Sequence, residues 1–385
     1  MKTVPAQADV VIVGAGVMGC SLAFHLSSLG AGRIIVLERG AIGQGATAAC
    51  AGGVRAQFST EINIRMGIEA KRMLAGFERE TGRSADFRPV GYLFLLTTEE
   101  ERALFASNVR LQRRLGVDDV RELRPADARA LVPGLRTDDL SGATFCPSDG
   151  LAGPSEVTFG YAEAARRQGV LVVEACPVDT FLCRGAMVEG VVTSRGEVRS
   201  LRTVLCTGPW AGIVGAAAGV HIPVQPSRRH VFVAEPFAGI NRKTPMVIDF
   251  HTSFYFHPEG DGALFGMGDP NEVPGFSTAV DWTFLDRVSA VAARRWPPLL
   301  EARIKKAWAG LYELTPDSQP LVGPVPGRDG LWVAAGFSGH GFMMAPVLGK
   351  WLAMWMVNGA QPVDLAAFAP DRFERGSIQP ERNVV

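Results

Sequence analysis

Four consecutive β-branched residues, Val10–Val13, begin the first sharply patterned stretch of the chain, ADVVIVGAGVMG. An unbroken apolar run of that length predicts a strand buried on both faces. Glycines follow, and then Met18, Leu22, Leu26 and Leu29 recur at the spacing of one helix face over residues 17–29. Gly30 ends that helix. A second apolar run, RIIVLE, predicts a strand closing on Glu38.

Further along, the pattern alternates between two kinds of block. Residues 154–169 read as a helix, 170–175 as a strand, 190–200 as a hairpin turning at Arg195–Gly196, and 203–211 as a buried strand ending in a glycine turn. Residues 86–145 mix short strands with a charged helix over 99–115. Residues 222–310 carry the strand runs HVFVAE, MVIDF, SFYFHPE and GALFGMGD, then a helix over 281–296. A final helix is expected over 344–357. The division this suggests is one discontinuous unit of residues 1–85, 146–221 and 311–385, interleaved with a second of 86–145 and 222–310.

With 385 residues, 47% of them hydrophobic, the chain is long enough for two such units and a sizeable core. Lys+Arg and Asp+Glu both number 39, so the basic field that favours nucleic acid is missing. None of the six cysteines forms CxxC or sits at zinc spacing from histidine, so no metal is expected. The most apolar late stretch, MMAPVLGKWLAMWMV, contains Lys350 and is too short to span a bilayer. No signal peptide is read at the N-terminus. The expectation is a soluble cytoplasmic protein.

The sharpest chemical signal is the first turn. Gly14, Gly16 and Gly19 fit G-x-G-x-x-G between a strand and a helix, with Glu38 closing the next strand. The first glycine permits the turn, the second admits a diphosphate, the third lets helix pack on strand, and the acid accepts from a ribose. The loop that follows, GQGATAACAGGVRAQFS at residues 43–59, is long, small and nearly uncharged. It suits backbone amides closing over a diphosphate and a ring system. Some 320 residues later a second glycine turn, GFSGHGF at 336–342, precedes the last helix.

Taken with VLCTGPWA and WAGLYELTPDSQPLVGP, these segments resemble the D-amino-acid-oxidase-type flavoproteins, sarcosine oxidase and glycine oxidase branch. The first loop also resembles the flavoprotein subunit of bacterial proline dehydrogenases and some FAD-binding assembly proteins. The resemblance implies an α/β fold: a Rossmann-like FAD-binding domain of the glutathione-reductase-2 type, with an interleaved antiparallel-sheet substrate domain. It implies non-covalent FAD held by Gly14, Gly16, Val17, Met18 and Gly19 in the first turn, and by Glu38 and Arg39 after the second strand. Gly45, Ala46, Thr47, Gly52 and Gly53 would follow from the loop, and Val178, Thr207, Gly208, Trp210 and Gly310 from the middle of the chain. The second turn would meet the flavin ring through Gly336, Ser338, Gly339, His340, Gly341, Phe342 and Met343. A helix beginning there would aim its positive end at the flavin edge that gains negative charge on reduction.

For the substrate, the resemblance implies Arg55 as a carboxylate anchor, His340 at the flavin edge, and Tyr255, His257 and Tyr312 as contacts. Met343 stands where sarcosine oxidases carry a second cation, a lysine, which argues for a bulkier or more apolar substrate. The implied reaction is oxidation of a secondary amino acid, such as an N-alkyl or N-carboxymethyl glycine. Hydride passes to flavin, and O2 is reduced to peroxide. The alternatives are a dehydrogenase subunit passing electrons to a redox partner, and a flavin-binding assembly protein without turnover. The oxygen-activating lysine of sarcosine oxidases has no counterpart in DGALFGMGD, and a homo-oligomer is left open. Gly310 replaces the cysteine that attaches FAD covalently in monomeric sarcosine oxidases. Acid precipitation of the yellow protein should therefore release all the FAD into the supernatant, and flavin retained in the pellet would contradict the non-covalent assignment.

Overall fold

The computed structural model describes residues 4–384. Strand β1 (Val10–Val13) is buried at every position, as its β-branched run requires. It pairs in parallel with β2 (Ile34–Leu37) on one side and with Thr203–Leu205 on the other. Leu171–Val173 extends the sheet beyond β2, and Leu331–Ala335 then Leu321–Pro324 extend the opposite edge. Only the last of these strands runs antiparallel. Gly14, at φ +106°, turns so tightly against the Thr203–Leu205 strand that a Cβ there would meet Cys206 O at 2.3 Å.

Helix α1 (Val17–Ser28) follows that turn, and helix α2 (Gly341–Asn358) follows the second one. Both are buried nearly all round, since each is covered by the sheet and by the other. They cross where Gly349 faces Ser21: a Cβ on Gly349 would lie 2.2 Å from Ser21 Oγ. The hydroxyl uses that proximity to donate to Ala345 O at 2.8 Å. Helix α2 begins three residues earlier than the expected 344, so Phe342 and Met343 belong to its first turn.

The second sheet has eight strands. Its order is β5 (Ile304–Leu314), β3 (Gln225–Ala234), Gly262–Met267, β4 (Phe254–Glu259), Met246–Asp249, Tyr92–Leu96, Gly142–Cys146 and Arg121–Leu123. All neighbours pair antiparallel except Met246–Asp249 with Tyr92–Leu96. β5 runs unbroken through Leu314, so a boundary after residue 310 cuts a strand of this sheet. The helix Glu61–Ala75, absent from the sequence reading, packs beside α2. Among the described residues no helix is long and apolar enough to cross a membrane, and no cluster of metal ligands occurs.

The α1–α2 crossing generates a test. Gly349→Val forces the helices apart where backbone and hydroxyl now touch, and overpacking of this kind costs roughly 1–3 kcal/mol. Thermal unfolding of the variant should show a midpoint several degrees below that of the parent protein. An unchanged midpoint would mean that the crossing has slack.

Candidate active site

The starts of α1 and α2 open onto one cavity of about 430 Å³, walled on its far side by β3, β4 and β5. Gly14, Gly16, Val17 and Met18 line it from the first turn; Gly339, His340, Gly341, Phe342 and Met343 line it from the second. Residues 44–47 and 49–53 of the small-residue loop close one flank. Glu38, Arg39, Val178, Thr207, Gly208 and Trp210 line the cavity too, with the Arg39 guanidinium 3.6 Å over the Trp210 ring. Tyr255, Tyr312, Gly310 and Arg55 complete the set drawn from the sequence.

Three of the expected residues stand elsewhere. Gly19 is a packing glycine, its missing Cβ making room for Gly14 O at 2.0 Å, and it does not line the cavity. Gly336 lies behind the second turn, its N–H donating to Glu313 Oε2 at 2.8 Å. His257 shares a face of β4 with Tyr255 but sits two residues further along, roughly 6–7 Å beyond it. It is buried with Nδ1 on Pro258 O at 2.8 Å, outside the cavity, and burial pulls it down to about 4.

Glu38 does more than end a strand. Its two carboxylate oxygens accept from Ala15 N and Gly40 N, each at 2.8 Å, so the acid braces the glycine turn itself. Thr47 reaches back across the cavity floor, where its hydroxyl accepts from Val17 N at 3.1 Å. In the second turn Ser338 takes a left-handed conformation at φ +49°, and Gly339 lets the Tyr312 ring approach to 2.5 Å of where a Cβ would be. Glu313, next to Tyr312 on β5, ties that turn down through Gly336 N.

Arg55 is 2% exposed and pairs with no carboxylate among the described residues. It donates to Gln57 O, to Asn383 O at 2.5 Å, and lies 3.0 Å from His340 Nε2. Its guanidinium rests over the Phe58 ring at 4.1 Å. The carboxylate anchor implied by resemblance thus lines the cavity with three of its five N–H donors on protein groups. Arginine has no acceptor, so His340 Nε2 must accept and the proton sits on Nδ1. That Nδ1 is buried with no protein partner. Burial, and then the Arg55 charge, hold His340 well below its ordinary value, so it is neutral.

Burial raises Tyr255 and Tyr312, and raises Glu313 to about 7. Glu313, Arg229 and Tyr92 line the cavity without having been picked out from the sequence, and residues 381–383 are tied to Arg55 from a tail that carries no motif. A lone acid in the apolar strand AGLYEL was the one readable signal among these.

The arrangement fits FAD on its own terms. Two glycine turns present helix N-termini to one elongated cavity, Gly16 leaves it floor space, and the buried Thr207 Oγ1 and His340 Nδ1 lack partners that a ligand would supply. Residues 9–355 match the DAO family, FAD dependent oxidoreductase. The chain belongs to this family. FAD is its cofactor, and its homologues oxidise amino acid C–N bonds. The chain is 33% identical to L-proline dehydrogenase from P. horikoshii, over 98% of this chain and 100% of that one, with a TM-score of 0.91. Glycine oxidase from Geobacillus kaustophilus is 26% identical, with 96% and 99% covered and a TM-score of 0.84. Human mitochondrial sarcosine dehydrogenase is 29% identical over 97% of this chain, which spans only 42% of that longer protein.

Glu313 supplies a pH test. A carboxyl raised to about 7 in the fold, against 4.5 as its ordinary value, favours the folded state below about 4.5 and loses that contribution as pH rises through 7. Glu313→Gln should therefore leave apoprotein stability near pH 4.5 almost unchanged and exceed the parent above pH 7 by on the order of 3 kcal/mol. Urea unfolding at the two pH values measures it, and parallel pH profiles for both proteins would show that Glu313 does not titrate in the fold.

Proposed function

We propose that this chain oxidises the C–N bond of a secondary amino acid. The observation that carries the reading is the set of uncharged polar groups in the cavity: burial holds His340, Tyr255 and Tyr312 uncharged beside arginines. Such a site disfavours an ammonium and suits a neutral amine, while the cationic side suits a carboxylate.

Bound FAD supplies the acceptor for a hydride equivalent. The first turn, Glu38, Arg39, Thr47, Val178, Thr207 and Trp210 would hold the dinucleotide, and the turn 338–343 the flavin ring. His340 donates from Nδ1 to an acceptor at that end, its tautomer fixed by Arg55. Val231, Met246, Ile248 and Met343 exclude water from the reacting carbon. As hydride leaves that carbon the nitrogen lone pair forms the C=N bond, so no protein base is required. Water then hydrolyses the imine to an amine and a carbonyl product.

The electron acceptor separates two readings. Transfer to O2 makes the chain an oxidase. Transfer to a redox partner makes it a dehydrogenase, and one feature favours this: the basic residues lining the cavity are Arg39, Arg55, Arg229 and His340, with no lysine of the oxygen-activating kind among them. Anaerobic mixing with a panel of secondary amino acids tests the shared core, since a true substrate bleaches the flavin; a panel that leaves it yellow would refute the reading. Steady peroxide from the lone chain then selects the oxidase, and dye reduction without peroxide the dehydrogenase. Met343, 6% exposed and lining the cavity, tests specificity. Met343→Lys places an ammonium against the N-substituent, and should lower kcat/KM for an N-alkyl glycine with a large apolar group by roughly tenfold or more relative to sarcosine. An unchanged ratio would remove Met343 from the substrate wall.

A further inference from the structure

Arg229 is a half-buried cation of this cavity with one edge of its guanidinium unpartnered among the described residues. On β3, Val231 and Val233 pack toward Tyr255 and Trp308, while Phe232 packs into the core on the opposite face. Arg229 has the parity of the first set. It stands in register with Gly310 of β5, which has no side chain to cover it, and it lines the cavity. Its neighbour Arg228 faces the other way and pairs with Glu272 at 3.1 Å.

The guanidinium is held along one edge only. Nη1 donates to Ser227 Oγ at 2.7 Å and to Arg228 O at 2.9 Å. The plane lies over the Tyr312 ring, 4.9 Å from its centroid. Nε is buried with no partner, and Nη2 has none among the described residues. Nε and Nη2 are the adjacent donors that grip a carboxylate with two parallel hydrogen bonds. No carboxylate of the protein is within ion-pair distance of them among the described residues. The contrast with two fully buried arginines is sharp: Arg295 pairs with Asp249 and Asp139, and Arg372 with Asp317. Arg55, in the same cavity, has both Nη groups bonded to the protein, to two carbonyls and to His340.

We propose that Arg229 binds the α-carboxylate of the amino acid through its Nε–Nη2 edge. Tyr312 supports the guanidinium from below. The Tyr255 hydroxyl sits beside Gly266, where a Cβ would lie 2.6 Å from it, so that glycine keeps space open next to the anchor. Val231, Met246 and Ile248 form an apolar stretch of wall beside the anchor and offer nothing to a second charge there. The substrate is therefore a monocarboxylate with an uncharged N-substituent or a ring through nitrogen, and an N-carboxymethyl group is disfavoured. This assignment rests on the function proposed above.

The test uses FAD-loaded enzyme and pyrrole-2-carboxylate, a carboxylate with no oxidisable α C–H, titrated against the flavin absorption spectrum. Pyrrole-2-carboxamide, of the same shape and uncharged, is the control. Arg229→Met should raise Kd for the carboxylate roughly 30-fold or more, and Arg229→Lys by a smaller factor, since a point charge replaces the fork. The carboxamide should bind both variants as it binds the parent, a result that general damage to the pocket would not give. A carboxylate Kd within about threefold of the parent in Arg229→Met would overturn the assignment while leaving the proposed function standing. So would loss of FAD from both variants, which would place Arg229 in the cofactor scaffold. If the parent enzyme binds neither carboxylate nor any secondary amino acid, the function falls and the anchor with it.

Discussion

Two helices begin at glycine turns at opposite ends of the chain, and the rest of the molecule depends on their meeting. Ser21 and Gly349 set the distance of closest approach, and one hydroxyl bonded to Ala345 O fixes the registry. Because both helices point their N-termini the same way, the partial positive charge of each falls in one cavity rather than on two surfaces. The parallel sheet holds the first helix and the eight-stranded sheet roofs the space they share.

Electrostatics then sorts the cavity into kinds of cation. Arg55 is buried and bonded to two carbonyls and to His340, fixing which ring nitrogen holds the proton. Arg229 keeps a free edge against an aromatic floor. Arg39 stacks on Trp210. The tyrosines and the histidine stay neutral and Glu313 is raised to about 7, because burial without an ionic partner makes charge expensive for each of them.

What was legible in the sequence was what is local. The β1–turn–α1 unit was plain because its strand run, glycines and helix face lie within twenty residues, and the strands from 225 to 267 announced themselves by β-branched and aromatic runs. The helix Glu61–Ala75 was hidden: Ile62, Ile64, Met66 and Ile68 alternate with a strand's period, and tertiary packing against α2 overrides it. His257 was misplaced because strand parity gives a face but not where along that face a cavity ends. Arg229 could not be told from Arg228 by composition, since one residue of register decides which of two adjacent arginines faces the cavity. The bond from Asn383 O to Arg55 has no local signal at all.

The convergence of the two turns has a consequence for how the protein is made. A ribosome releases the first turn long before residues 336–343 exist, so the nascent chain carries half a cradle for most of its synthesis. The whole cradle consequently exists only once residues 336–343 have emerged. During that interval the apolar flank of α1 that α2 will cover faces solvent, and the supply of flavin and the completion of the chain together decide how long it stays uncovered.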